Sequence, residues 1–182
     1  KSPLATPFPT REMRKLLDIN WRRNVARGGY GMVAQLRSWL PDHIGGIYWV
    51  YQDNEHPGIY TPIYAGVTEL NPVIYTFNPD EYSENSLKWA IDFVDNLLYL
   101  RWQDAVKDLE KKRNPLEQSY FDQIPEIDKK ALELYKKNPK KGREILTNWT
   151  WEKMDEAMKM YKELRYEILV KYTNNRQGIN FR

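Results

Sequence analysis

The sequence of 182 residues contains no cysteine and two histidines, and each shortage removes a class of site. Without cysteine the chain forms no disulfide and supplies no thiolate nucleophile. The two histidines, His43 and His56, both lie beside predicted turns, so no Ser-His-Asp triad and no histidine-rich metal site can be assembled. We therefore expect no catalytic residue, no metal and no cofactor on this chain.

Long hydrophobic runs and blocks of one charge are also missing. No apolar stretch approaches the roughly 20 residues that a membrane-spanning helix requires. The 28 lysines and arginines are interleaved with 25 acidic residues, as in the segment 107–113, instead of forming a basic stripe. Neither a membrane nor a nucleic acid is therefore an expected partner.

Aromatic and β-branched residues, by contrast, are concentrated in the first part of the chain. They predict a strand at Tyr30–Leu36 and a hairpin with arms at 46–51 and 59–64. Pro62 lies inside the second arm, which predicts either an edge strand or a bulge. A short helix is expected at 10–20, and a further short strand at 24–26.

The hydrophobic period changes from two to about three and a half near residue 83. An apolar stripe predicts one long helix over 86–113, ended by Asn114 and Pro115. Shorter helices are expected at 116–123, 126–137 and 141–148. Thr150 is the predicted N-cap of a last helix, and Met154, Met158 and Met160 are expected to pack in the core. The sequence thus indicates an α+β fold, a small antiparallel sheet followed by a helical C-terminal layer. We expect a single module over 1–182, β-rich over 1–80 and helical over 81–182.

Three segments between residues 37 and 68, RSWLPDHIGG, IYWV and TPIYAGVT, resemble the dipeptidase A family of N-terminal-nucleophile hydrolases, which includes the secernins. The segment 146–172, ending in Val-Lys-Tyr, is similar to the last helix of that family. The resemblance extends over about 22–175. It implies that the sheet is part of an αββα sandwich. It also implies hydrolysis of short peptides by a cysteine at the mature N-terminus, with its own α-amino group as the base.

The missing cysteine conflicts with that implied mechanism. The chain begins Lys1-Ser2-Pro3, and Ser2 is a poor substitute nucleophile because Pro3 restricts the backbone of its neighbour. We therefore expect the chain to be the C-terminal portion of a longer hydrolase and to be inactive alone. Its expected partners are the N-terminal portion of the same protein and a short peptide substrate.

Three charged residues are the candidates for substrate binding. The resemblance allows Arg37, at the end of a strand, to hold a substrate carboxylate or an oxyanion through its planar guanidinium. Asp42 and Asp53 could bind a substrate ammonium group. The alternative for Arg37 is a buried salt bridge that holds the corner, and the alternative for both aspartates is turn capping.

Two other functions stay open at this point. One is a non-enzymatic, secernin-like interaction protein, and the other is a different amide hydrolase on the same fold, such as an acyltransferase or a bile-salt or penicillin amidase relative. The hairpin is also expected to expose an aromatic face that lacks its natural cover, and such a face would favour a homo-oligomer.

Overall fold

The computed structural model describes residues 10–16 and 29–173, and its fold class is α+β, as predicted. A three-stranded antiparallel sheet carries long helices on one face. The elements follow in the order α1 (Arg11–Leu16), β1 (Tyr30–Leu36), α2 (Asp42–Gly45), β2 (Gly46–Gln52), β3 (Thr61–Tyr64), a 3₁₀ turn (Pro72–Ile74), α3 (Leu87–Leu98), a second 3₁₀ turn (Tyr99–Arg101), α4 (Trp102–Lys137) and α5 (Pro139–Thr173).

The sheet has the strand order β1-β2-β3, so β2 is central and β1 and β3 are edges within the described residues. The predicted strand β1 and the two arms of the hairpin are confirmed, although β3 starts at Thr61 instead of residue 59. Pro62 is paired with Trp49 on the edge strand β3, where a residue without an N–H group is tolerated. The rest of the predicted 10–20 helix and the strand at 24–26 lie outside the described residues.

The two faces of the sheet differ in their cover. On the inner face, Ile47, Trp49 and Tyr64 are almost completely buried, and this face packs against the long helices. Side chains on the outer face alternate with these, because successive residues of a strand point to opposite sides. Tyr48 is 42% exposed on that outer face, and Met32 and Leu36 of β1 are 62% and 78% exposed. Over β2 and β3 the inner face of the sheet thus lies in the core. β1 is exposed on both faces, since Val33, which pairs with Trp49 on the inner face, is also 54% exposed.

The predicted helix over 86–113 is wrong at its C-terminal end. A 3₁₀ turn at Tyr99–Arg101 interrupts it, and α4 then continues without a break through Asn114 and Pro115 to Lys137. The segments 116–123 and 126–137 are therefore parts of one helix. Pro115 and Pro125 are both exposed, and so are the residues four positions earlier, whose carbonyl groups lose a helical donor. Water can satisfy carbonyl groups on a solvent-facing side, which explains why proline does not end this helix.

The predicted start of the last helix is also wrong. Thr150 is fully buried in the middle of α5, which incorporates the segment 141–148 and begins at Pro139. Asn138 supplies the N-cap, since its Oδ1 accepts a hydrogen bond of 3.0 Å from the backbone N–H of Lys140. Proline is well suited to the first helical position, where its missing N–H would have no partner. The pair Asn138-Pro139, which the sequence predicts to be a break, is thus also the start of the last helix.

The helices α4 and α5 form an antiparallel pair joined at Asn138. Tyr120 Oη donates to the backbone oxygen of Lys153, and Lys171 Nζ donates to Asp108. A later residue of α5 thus contacts an earlier residue of α4. Met154, Met158 and Met160 are buried in the core, as predicted. In the part of the chain that is described, no helix has both the length and the apolar character needed to cross a membrane.

Candidate functional site

Arg37 lies at the end of β1, in the tight corner that leads through α2 into β2. We call this the corner end of β2. A Cβ atom at Gly45 would lie 2.6 Å from the backbone oxygen of Arg37, so only glycine allows the chain to close here. Arg37 Nη2 donates to the backbone oxygen of Ile44 at 2.6 Å, and Nε donates to that of Gly45 at 3.3 Å. The guanidinium therefore holds both sides of the corner together.

The remaining Arg37 contacts reach helix α4. Arg37 is 8% exposed and forms an ion pair with Asp128, whose two carboxylate oxygens accept from its two terminal nitrogens. Asp128 Oδ1 also accepts from the Tyr64 hydroxyl at 2.8 Å. Burial raises the pKa of that hydroxyl well above its usual range, and the bond to Asp128 acts in the same direction. This is the geometry that the salt-bridge alternative describes.

Asp42 lies at the same end of β2, while Asp53 does not. Asp42 is exposed and opens α2, in the same corner of the chain as Arg37. Asp53 follows Gln52, at the opposite end of the seven-residue strand β2, roughly 20 Å away at the usual rise per residue. An extended dipeptide spans at most about 7 Å. The three predicted residues therefore do not converge on one small substrate.

Asp53 occupies the other end of β2, which we call the turn end. Its backbone has φ +64°, a left-handed conformation that aspartate tolerates better than most residues. The residue is 8% exposed, and its Oδ2 has no hydrogen-bond partner among the described residues. Burial raises the pKa of Asp53 to about 6, and the nearby charges of Asp92 and Asp95 contribute to the increase. Burial also raises the pKa of Asp95 to about 6, although Asn54 donates to it at 2.6 Å.

Two adjoining cavities open on the side of the sheet that faces α4, the polar one beside the turn end and the apolar one along the middle of β1 and β2. The first is an apolar groove of about 550 Å³ between the inner face of the sheet and α4, with Trp49 and Phe121 stacked at 4.1 Å between ring centroids. The second is a polar cleft of about 380 Å³ that contains Glu55, His56 and Arg113. Tyr60 and Glu117 line both cavities, so they mark the junction. We refer to the two together as the turn-end cleft.

Sequence reasoning missed most of the residues that complete these two sites. Asp95 could have been selected from the sequence, because it interrupts the apolar face that Ile91, Val94 and Leu98 form on α3. A carboxylate on the buried face of an amphipathic helix is uncommon enough to indicate a special environment. Glu117 and Asp128 carry no such signal, since each contacts a partner more than fifty residues away.

No classical catalytic or metal centre is formed by these side chains. Within 10–16 and 29–173, no group of three or more histidine, aspartate or glutamate residues could hold a metal ion. The two histidines lie far apart, since the His43 ring contacts Tyr135 and the His56 ring contacts Trp102. The chemistry available to the described residues is the binding of charged groups and of apolar side chains.

Comparison with family models and with curated proteins gives one positive result. A model of peptidase family C69 matches residues 10–114, which are 105 of the 182 residues. The match includes the whole sheet and α3, starts earlier than the expected limit near residue 22, and ends within α4. The similarity expected for 146–172 lies outside it and stays a prediction. The search of curated proteins finds no match. Because the family model covers more than half of the sequence, the chain belongs to peptidase family C69 and is assigned to the peptidases on that basis.

Proposed function

We propose that the chain is the C-terminal part of a dipeptidase that hydrolyses short peptides with an N-terminal cysteine located outside this sequence. One observation carries this proposal. The chain belongs to a peptidase family and its resemblance implies a cysteine nucleophile, yet its sequence contains no cysteine. A hydrolase of this kind needs a nucleophile with a base within hydrogen-bond reach. The described residues provide binding groups, and the proposal places the nucleophile and its base in the N-terminal portion of the protein.

The outer face of the sheet, on which the described residues leave apolar side chains exposed, supports the same proposal. In a sandwich of the αββα type, each sheet carries helices on one face and packs against the second sheet with the other. Here α4 and α5 cover the inner face, and the outer face exposes Met32, Leu36 and Tyr48. Apolar side chains of this kind are the ones that a second sheet would cover in a sandwich. The N-terminal portion of the same protein is the partner that we propose for it.

A direct assay tests the catalytic part of the proposal. The purified chain, incubated with a panel of unblocked dipeptides, should show no turnover above buffer. The longer gene product should hydrolyse them, and replacement of its N-terminal cysteine by alanine should abolish that activity. Turnover by the present chain that is lost on Ser2→Ala would contradict the proposal, because it would place the nucleophile within this sequence.

A measurement of exposed apolar surface tests the structural part. If the outer face lacks its partner, the isolated chain should bind a hydrophobic dye and form dimers in light scattering. Met32→Lys should reduce both signals, because it places a charge on the outer face. Val170→Lys is the matched control, since Val170 is 67% exposed on α5, away from the sheet. A strictly monomeric chain that binds no dye would contradict the proposed cover.

A non-enzymatic interaction protein is the second candidate. The same uncovered face favours it, because an exposed apolar sheet surface suits a separate protein partner as well as a second layer. The two candidates differ in one chemical requirement, the cysteine that begins the mature longer protein. A longer gene product that lacks this cysteine and hydrolyses no dipeptide would favour the interaction protein.

A further inference from the structure

The apolar part of the turn-end cleft is built to receive a hydrophobic side chain. Val33 and Ala34 of β1 form one wall, and the stacked rings of Trp49 and Phe121 lie beside them. Phe121 is 43% exposed, and Val33 is 54% exposed, so the groove opens to solvent in the described part of the chain. An aromatic or aliphatic group that entered it would bury apolar surface on both sides.

The polar groups at the junction favour a positively charged ligand. Glu117 Oε2 accepts from the backbone N–H of Tyr60 at 2.8 Å, which fixes the carboxylate between the two cavities. Among the described residues, no ion pair involves Glu117, although Arg113 lies four positions earlier on α4. The Arg113 guanidinium is directed instead at the backbone oxygens of His56 and Gly58 and at Asn114.

A second carboxylate, that of Glu55, lines the polar cleft next to Tyr60. Burial raises the pKa of the Tyr60 hydroxyl, and the charges of Glu55 and Glu117 raise it further. The polar cleft thus contains two carboxylates, those of Glu55 and Glu117, beside the one guanidinium of Arg113. An ammonium group would meet complementary charge there.

From these observations we propose that the turn-end cleft binds the free amino end of a peptide whose first side chain is apolar. Glu117 accepts hydrogen bonds from the ammonium group, and the Trp49 and Phe121 rings contact the side chain. This inference names the end of the substrate that the proposed dipeptidase recognises, and it rests on that function for its biological meaning. Binding itself needs no nucleophile, so it can be measured in the present chain.

An NMR titration of the chain tests the ligand chemistry. Phenylalanyl-alanine amide carries the ammonium group and the aromatic side chain, and its N-acetyl form differs only in lacking the positive charge. The free amine should shift the signals of Tyr60, Glu117 and Phe121, and the N-acetyl form should bind at least about tenfold more weakly. Equal affinity of the two forms, or no binding of the free amine, would overturn the inference. Either result would leave the proposed dipeptidase testable by turnover of the longer protein.

Two variants identify the residues responsible. Glu117→Gln keeps an acceptor for the Tyr60 N–H and should weaken binding of the free amine about tenfold. Glu133→Gln, an exposed position on the same helix outside the cleft, is the matched control and should leave the affinity unchanged. Phe121→Ala should weaken binding of both forms because it removes the aromatic wall. Wild-type affinity in Glu117→Gln would show that this carboxylate does not select the ligand and would overturn the inference.

Discussion

The two ends of strand β2 use charge in opposite ways. At the corner end, the buried Arg37 has the Asp128 carboxylate and two backbone oxygens as partners, and that carboxylate also accepts from the Tyr64 hydroxyl. At the turn end, the buried Asp53 has an oxygen without a described partner, and burial raises its pKa, with the charges of Asp92 and Asp95 adding to the increase. Glu117 lies at the same end without an ion pair among the described residues. Positive charge is thus matched at one end, while negative charge is in excess at the other.

This difference separates stabilisation from recognition. A buried ion pair with all its hydrogen bonds made has little capacity left for a ligand, and removing one partner leaves a costly buried charge. Carboxylates without a counter-ion are destabilising in the free protein and are relieved when a cation arrives. The corner end is therefore expected to determine stability, and the turn end is expected to bind.

The largest effect is expected at the corner end from Asp128→Ala. The change leaves the guanidinium of Arg37 buried without its counter-ion and removes the acceptor of the Tyr64 hydroxyl, so we expect a loss of about 3–5 kcal/mol in the free energy of unfolding. The midpoint of urea unfolding measures this loss of stability. Glu126→Ala on the same helix breaks an exposed pair with Lys130 and should leave the midpoint nearly unchanged. An equal shift of the unfolding midpoint in both variants would contradict the expectation that the corner end determines stability.

A smaller effect at the same end is expected from Arg37→Lys. Lysine keeps the charge but cannot donate to Asp128 and to the corner carbonyls together, so stability should fall by about 1–3 kcal/mol. In the longer enzyme, kcat/KM measured well below the melting temperature should stay near wild type. A loss equivalent to about 2–4 kcal/mol of transition-state stabilisation with unchanged melting temperature would instead assign Arg37 to the substrate.

The smallest effect, of opposite sign, is expected at the turn end from Asp53→Asn. The pKa of Asp53 is about 6 in the folded chain, against an ordinary value of 3.8, so the folded state holds the proton more tightly than the unfolded state. Stability contributed by this group is present at low pH and is lost as pH rises from about 4 to about 6. Asparagine tolerates the left-handed backbone and removes the charge, so the variant should gain about 1 kcal/mol at pH 7.

Thermal unfolding between pH 4 and pH 7 measures this third effect. The wild-type chain should show a stronger decrease of melting temperature with rising pH than the Asp53→Asn variant. Asp80→Asn, at an exposed position, is the control and should follow the wild-type curve. A variant less stable than wild type at pH 7 would indicate that the Asp53 carboxylate is needed for structure, and the comparison of the two ends would then fail.

Local patterns were sufficient for the sheet and for the α+β class. Alternating aromatic and β-branched residues located β1 and both arms of the hairpin, because strand pairing depends on a period of two that is visible in short segments. Helix boundaries were less accessible. Pro115, Pro125 and the pair Asn138-Pro139 look alike as helix breakers, yet only the last separates two helices. The outcome depends on whether the freed carbonyls face solvent, which local sequence does not encode.

By itself, the sequence determined that this chain has no cysteine, that its front forms a small antiparallel sheet and that its motifs belong to a peptidase family. Arg37, Asp42 and Asp53 could be selected from it as charged residues next to turns. Tertiary structure alone decided that Arg37 pairs with Asp128, 91 residues away, and that Glu117 meets Tyr60 at the mouth of the groove. Residue chemistry and local periodicity are properties of short segments, whereas the partner and the burial of a charge depend on how distant segments pack.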